Sequence, residues 1–326
     1  MATEGMGDQS IRLILPYFGR LPPYTDLFLA SCARNPSVEW LLITDQRLDE
    51  DRLPRNVVVQ TTTFDALKRR IDQAVGMVTT LPTPYKLSDF RPAYGIIFAE
   101  ELTGFDFWGH CDLDMIFGDI RKFLTPEILH AYNKVLIHGH LSLYRNCDEA
   151  NNYFRLEAPG ISFRDVFTSP KNRAFDEFGG IRILLNHHRI PMFRDDSYLA
   201  DINNHFYRME TVHPPNYRHQ CFYWEEGRVF KEFRDGSKQA RQEYLCIHLQ
   251  KRPMAAPPGD LHRSAQAWYI MPRGFKPKES TPDGPSEMDR LNPDDLLFGL
   301  RIYMISTLWH LKRRITRRFD PWPRGH

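Results

Sequence analysis

The sequence predicts an α/β fold, and three observations point there. The chain opens as strand, helix, strand: a compact apolar run from Ile11 to Pro16, helical spacing of Leu27, Phe28 and Cys32 within Thr25 to Asn35, then Val38 to Thr44. That order lays strands side by side with a helix against the sheet. Next, Phe105 to Cys111 reads as a short buried strand rich in aromatic residues, and it delivers Asp112 and Asp114 just where the strand should end. Last, short apolar runs keep alternating with helical stretches further along the chain.

Taken in order, Val57 to Gln60 is a third short strand and Thr63 to Ala74 a helix with Asp65 near its start. Ser88 or Asp89 can cap a helix running to about Leu102, with Pro92 tolerated in its first turn. The free amide groups at that helix start, with Lys86 and Arg91 beside them, make an anion site, unless Asp89 and Arg91 form a structural ion pair. Ile120 to Leu129 reads as helix and Lys134 to Ile137 as strand, leading into His138 and His140 at a pocket floor. Residues 150–235 are aromatic-rich and irregular, and Tyr244 to Leu249 is a further strand carrying His248. Residues 273–292, rich in Pro, Gly, Lys and Ser, read as a linker. The stretch 293–326 reads as a helix with one apolar face ending in Lys312-Arg313-Arg314 and Arg317-Arg318, either docked on the core or lying on an anionic membrane.

Composition excludes several classes. A chain of 326 residues, 42 % hydrophobic and 26 % charged with net charge +2, has ordinary globular composition. No Gly-x-Gly-x-x-Gly follows the first strand, which argues against a dinucleotide-binding domain. Five scattered cysteines read as reduced thiols, and residues 1–9 read as a flexible start without signal-peptide character. The core has no nucleic-acid motif, so nucleic acid is not an expected partner, and the expected location is cytoplasmic or on the inner face of the membrane.

Two carboxylates one residue apart at a strand mouth are hard oxygen ligands suited to Mg²⁺ or Mn²⁺, unless Asp112 and Asp114 merely cap a turn. Together with Ile11 to Gly19, Leu41 to Asp45 and Lys86 to Gly95, this stretch resembles bacterial glycosyltransferases of the GT-A type, of the kind that build capsule, lipopolysaccharide and lipo-oligosaccharide. The resemblance spans roughly residues 10 to 255 and is strongest between 86 and 146. It implies a Rossmann-like mixed central sheet flanked by helices, a catalytic domain over 10–272 (nucleotide-sugar half 10–137, acceptor half 138–272) and a helical tail.

The resemblance further implies a nucleotide diphosphate sugar as donor, a UDP-sugar foremost, and a glycan or glycolipid acceptor. It places Tyr17 and Asp45 near the nucleoside, although Asp45 reads equally well as a cap. It assigns donor contacts to the charged residues Lys86, Asp89 and Arg91. A carboxylate facing the acceptor is implied at Glu177 or Asp176, although either acid alone reads more readily as a helix cap, with Gly179-Gly180 allowing close approach to ligand. His248, with Lys251 three residues on, resembles the His-x-x-Lys region of retaining relatives, where His completes the metal site and Lys meets phosphate; the Gly and Lys-Pro-Trp of that signature are missing here. The partial likeness favours retention over inversion. Rival readings are an Asp-x-Asp phosphatase, which would want its motif on the first strand, and a non-catalytic adaptor using the basic tail.

Overall fold

The computed structural model describes residues 8–295 and Leu297. The first strands are β1 (Ile11–Tyr17), β2 (Val38–Thr44), β3 (Val57–Thr61), β4 (Phe107–Cys111) and β5 (Met115–Phe117). Then come β6 (Lys134–His138), β7 (Leu141–Arg145) and β8 (Leu199–Asp201). The last are β9 (His219–Glu225), β10 (Arg228–Asp235), β11 (Lys238–Tyr244), β12 (Cys246–His248), β13 (Ala267–Met271) and β14 (Gly274–Pro277). They form three sheets of a mixed α/β fold: six strands in the order β3-β2-β1-β4-β7-β6, five in the order β11-β10-β9-β13-β14, and three in the order β5-β12-β8.

In the six-stranded sheet β1 lies parallel to both β2 and β4, while β7 returns antiparallel beside β4. Alternating side chains of these strands feed two cores. Leu13, Leu15, Leu42 and Phe107 point to one face, and Ile14, Leu41, Ile43 and Trp108 to the other. Helix α1 (Thr25–Ala33) serves the first core through Phe28 and Cys32. Helix α2 (Phe64–Val75) serves the second through Leu67, Ile71 and Val75. The ends of α2 are fixed by local chemistry: the Thr63 hydroxyl accepts the Ala66 N–H at 3.1 Å, and Gly76 closes the helix at φ 74°. A third core, with Ile116, Ile247, Trp224 and Trp268, joins the three-stranded and five-stranded sheets.

Several expectations are revised. The helix expected from Ser88 or Asp89 is instead a 3-10 segment, Pro84–Ala93, followed by the single turn Tyr94–Ile97. Pro92 lacks the N–H that α-helical continuation needs, and Asp89 is turned inward rather than capping. The helix expected over 120–129 is two short ones, because Pro126 begins the second at a position where its missing N–H costs nothing. Residues 273–292 are not a linker: they carry edge strand β14 and helix Pro285–Leu291, whose Met288 and Leu291 cover the outer face of β9 and β10. Of the expected flexible start, residues 1–7 lie outside the described residues, as does the expected C-terminal helix 293–326 save 293–295 and 297. Among the described residues no helix is long and apolar enough to cross a membrane.

Candidate metal centre and cleft

The Asp-x-Asp stretch is a crossing point. β4 belongs to the six-stranded sheet and β5 to the three-stranded one, so Asp112, Leu113 and Asp114 carry the chain from one to the other. Leu113 is buried and anchors the crossing, while the Asp112 N–H donates to the carbonyl of His140 in the β6–β7 turn at 3.1 Å. β12 is the middle strand of the small sheet. Its register sets His248 opposite Met115 of β5 on one side and opposite Asp201 of β8 on the other.

Three distant segments therefore meet. His248 Nε2 lies 3.5 Å from Asp114 Oδ1 and 3.8 Å from Asp112 Oδ2, and ligand atoms of all three residues fall within 4.8 Å of one another. The other ring nitrogen, Nδ1, sits 2.7 Å from Asp201 Oδ1. Behind the ring, His140 stacks on His248 at 4.2 Å and 17°. His140, Asp201 and His248 form a second such group, but two stacked imidazoles send their in-plane lone pairs side by side and not toward a common point. Among the described residues, the set of Asp112, Asp114 and His248, without a stacked pair of rings, has the simpler geometry for a shared ion.

The electrostatics of the centre favour a cation. Burial alone would raise Asp114, yet the facing His248 and the Lys251 N–H hold it at about 2. Burial would lower His248, and the carboxylates of Asp114, Asp201 and Asp112 override it and push the imidazole up to about 10. Gln250 and Lys251, both with positive φ, turn the chain sharply after β12; this aims the Lys251 N–H at Asp114 Oδ2 while the Leu249 N–H reaches the Asp114 carbonyl at 2.9 Å.

The centre opens into a cleft of about 840 Å³. Arg91 crosses its floor, donating to Asp112, to Asp176 at 2.9 Å and to the Gly139 carbonyl. Burial raises Asp176 to about 7, with Arg91 opposing that and Glu177 adding to it; Glu177 is likewise raised by its burial. A Cβ at position 139 would sit 3.2 Å from both carboxylates, so glycine there lets them approach the β6–β7 turn. Large aromatic rings stand exposed at the cleft, Tyr85 at 63 % and Phe178 at 65 %, and the Lys251 ammonium lies 4.1 Å above the Tyr85 ring.

Of the residues expected at the site, Tyr17, Arg91, Asp112, Asp176, Glu177, His248 and Lys251 line this cleft, and Asp114 borders it through His248. Asp45 does not line it. Its carboxylate accepts the Gly19 N–H at 3.0 Å and the Gln46 amide at 2.9 Å, fixing the turn after β1 where Gly19 has φ 99°. Lys86 and Asp89 do not line it either. They form a 2.6 Å ion pair, 2 % and 0 % exposed, beneath the 84–93 segment. Gly179 and Gly180 crowd their own neighbours, the Arg173 carbonyl and the Phe175 ring, and make room for no ligand. His140, expected at a pocket floor, lines the cleft, whereas sequence reasoning missed Asp201, Gln250 and Tyr85. The signal for Asp201 was faint, a three-residue strand ending in an acid within the irregular 150–235 stretch.

No curated protein matches the chain significantly. A family of unknown function, DUF6625, matches over residues 13–279. That span takes in the whole cleft and all but the first two residues of the three sheets. The chain accordingly belongs to the DUF6625 family.

Proposed function

We propose that the chain is a metal-dependent glycosyltransferase of the GT-A type, moving a sugar from a nucleotide diphosphate sugar to a surface polysaccharide or lipid-linked glycan, with UDP-sugars as the first donors to test. The observation that supports this most is the convergence of Asp112, Asp114 and His248 at the end of β4, in a cleft that also offers Arg91 and Lys251. Ligands of open α/β sheets gather at such strand ends. The donor set of two carboxylates and one imidazole suits Mn²⁺ better than Mg²⁺. When bound, the ion supplies positive charge to offset what gathers on a departing diphosphate.

The chain's own residues supply the rest. Arg91, fixed by Asp112 and Asp176, and Lys251, resting on Tyr85, present cationic groups to an anionic donor. Glu177 is half-buried in the cleft wall and its pKa is raised by burial, which makes its carboxylate a stronger base toward an acceptor hydroxyl if transfer inverts. Exposed rings at Tyr85 and Phe178 offer apolar faces to a base or a pyranose. The phosphatase reading needs Asp112 free to attack; one of its oxygens is held by Arg91 and the other faces His248.

The test is incubation with a panel of nucleotide sugars and Mn²⁺, reading nucleotide release. Release from one donor, with no hydrolysis of simple phosphomonoesters, is the expected result. Asp114→Asn preserves side-chain volume and should lower that release on the order of 100- to 1,000-fold. Undiminished release by this variant sinks the proposal, and hydrolysis of phosphomonoesters favours the phosphatase.

A further inference from the structure

The three-stranded sheet holds a third carboxylate beside the Asp112, Asp114 and His248 group, on the far side of the imidazole. Asp201 ends β8, directly across from His248 in parallel register, and accepts from the side of the ring facing away from Asp112 and Asp114. Its carboxylate is itself fixed, because the Gln250 amide donates to the same oxygen at 2.8 Å. His140 covers one face of the imidazole, and His248 is 8 % exposed, which restricts tilting of the ring.

We propose that Asp201 is a positioning residue for the metal centre: by holding His248 through Nδ1–H, it commits Nε2 to the ion. An imidazole has two nitrogens and can present only one to a ligand; which one is decided by the hydrogen bond made by the other. With the Nδ1 proton held by Asp201 at 2.7 Å, the proton displaced by an ion is the one on Nε2, the nitrogen that faces Asp112 and Asp114. The negative charge of Asp201 also makes that nitrogen a stronger donor. Gln250 serves the same end one step further out, and so the turn after β12 shapes the centre twice, through the Lys251 N–H on Asp114 and through Gln250 on Asp201.

The inference rests on the metal-dependent reading, and its test separates the two. Mn²⁺ is titrated into the full-length protein with UDP present, and the free ion is followed by its electron paramagnetic resonance signal. Asp201→Asn should weaken Mn²⁺ binding about 10- to 100-fold. Mg²⁺, which depends less on a nitrogen ligand, should weaken less. In a His248→Ala background, Asp201→Asn should cause no further loss, because its effect passes through the ring that is gone. Gln250→Asn, which keeps a residue tolerant of the left-handed backbone there, should cause a smaller loss in the same direction. Unaltered Mn²⁺ affinity in Asp201→Asn, or a loss of equal size with and without His248, overturns the role of Asp201. Absence of saturable Mn²⁺ binding by the wild-type protein overturns the metal-dependent reading itself.

Discussion

Lys86 and Arg91 lie five residues apart on one segment, and each pairs with aspartate, yet they do opposite things. The Lys86 ammonium gives all three of its protons away inside the protein: to Asp89 at 2.6 Å, to the Val166 carbonyl at 2.9 Å and to the Lys171 carbonyl at 2.6 Å. Asp89 is equally satisfied, accepting backbone N–H groups from Arg173 and Phe175 as well. Nothing is left over for a ligand. Arg91 is also mostly buried, but its partners Asp112 and Asp176 are cleft residues, so its charge is held at the cleft. Two basic residues paired with aspartate, close in sequence, are a bolt in one case and part of the cleft lining in the other. What separates them is whether their partners face the interior or the cleft.

The comparison can be broken from either side. The largest effect is expected on the bolt: Lys86→Ala leaves Asp89 buried without its cation and should cost about 3–5 kcal/mol in denaturant unfolding, since removal of one partner strands a buried charge. Donor affinity of the fraction that remains folded should be unchanged; a donor defect without loss of stability would return Lys86 to the ligand contacts.

Next in size, Arg91→Ala should lower nucleotide release roughly 100-fold, about 2.7 kcal/mol, while costing less stability than Lys86→Ala. The reason is that burial already pushes Asp176 up to about 7, so it can take up a proton when its cation is lost. The sign follows from linkage. A carboxyl raised from 3.8 to about 7 by folding adds stability that is full below 3.8 and is lost as pH rises through 7. Without Arg91 the folded value climbs further, so the melting deficit of Arg91→Ala against wild type should widen between pH 6 and pH 9. A deficit that narrows over that range would remove Asp176 from the account.

The smallest effect sharpens the comparison at the rim. The pairing of Lys251 with Tyr85 is solvent-exposed and worth about 0.5–1 kcal/mol, so Tyr85→Ala should raise the donor KM about two- to five-fold with an unchanged melting temperature. A large drop in kcat with KM fixed would show that Tyr85 acts on the chemistry and not on donor placement.

Much of this architecture was legible. Strands β1 to β4 follow from apolar runs bounded by Gly, Pro and Asp, and β2 has the bounds its sequence suggests. That Asp112, Asp114 and His248 deserved grouping came from the resemblance, since no periodicity links positions so far apart. The illegible parts share a cause. Whether Lys86 or Asp45 faces ligand depends on carbonyls and N–H groups contributed by Val166, Lys171 and Gly19, and backbone groups leave no mark on composition. Asp201 was hidden because β8 has three residues, too few for alternation to register. The 273–292 stretch looks like a linker because edge strands and short capped helices tolerate Pro, Gly and Ser, and its few apolar residues are spent on covering β9.

The parentage of the centre has a consequence for the order in which the chain is made. The six-stranded sheet uses only residues 11–145, so a growing chain can complete it, with Asp112 and Asp114 already at its mouth, long before His248 exists. Over that interval the two carboxylates have neither an imidazole beside them nor the Lys251 N–H to settle Asp114. The small sheet closes only when β12 slides between β5 and β8, and contacts of such long sequence separation form late. A chain cut between positions 145 and 248 should therefore carry a finished six-stranded sheet and an unfinished centre, so the last strand of the small sheet is also the step that completes the centre.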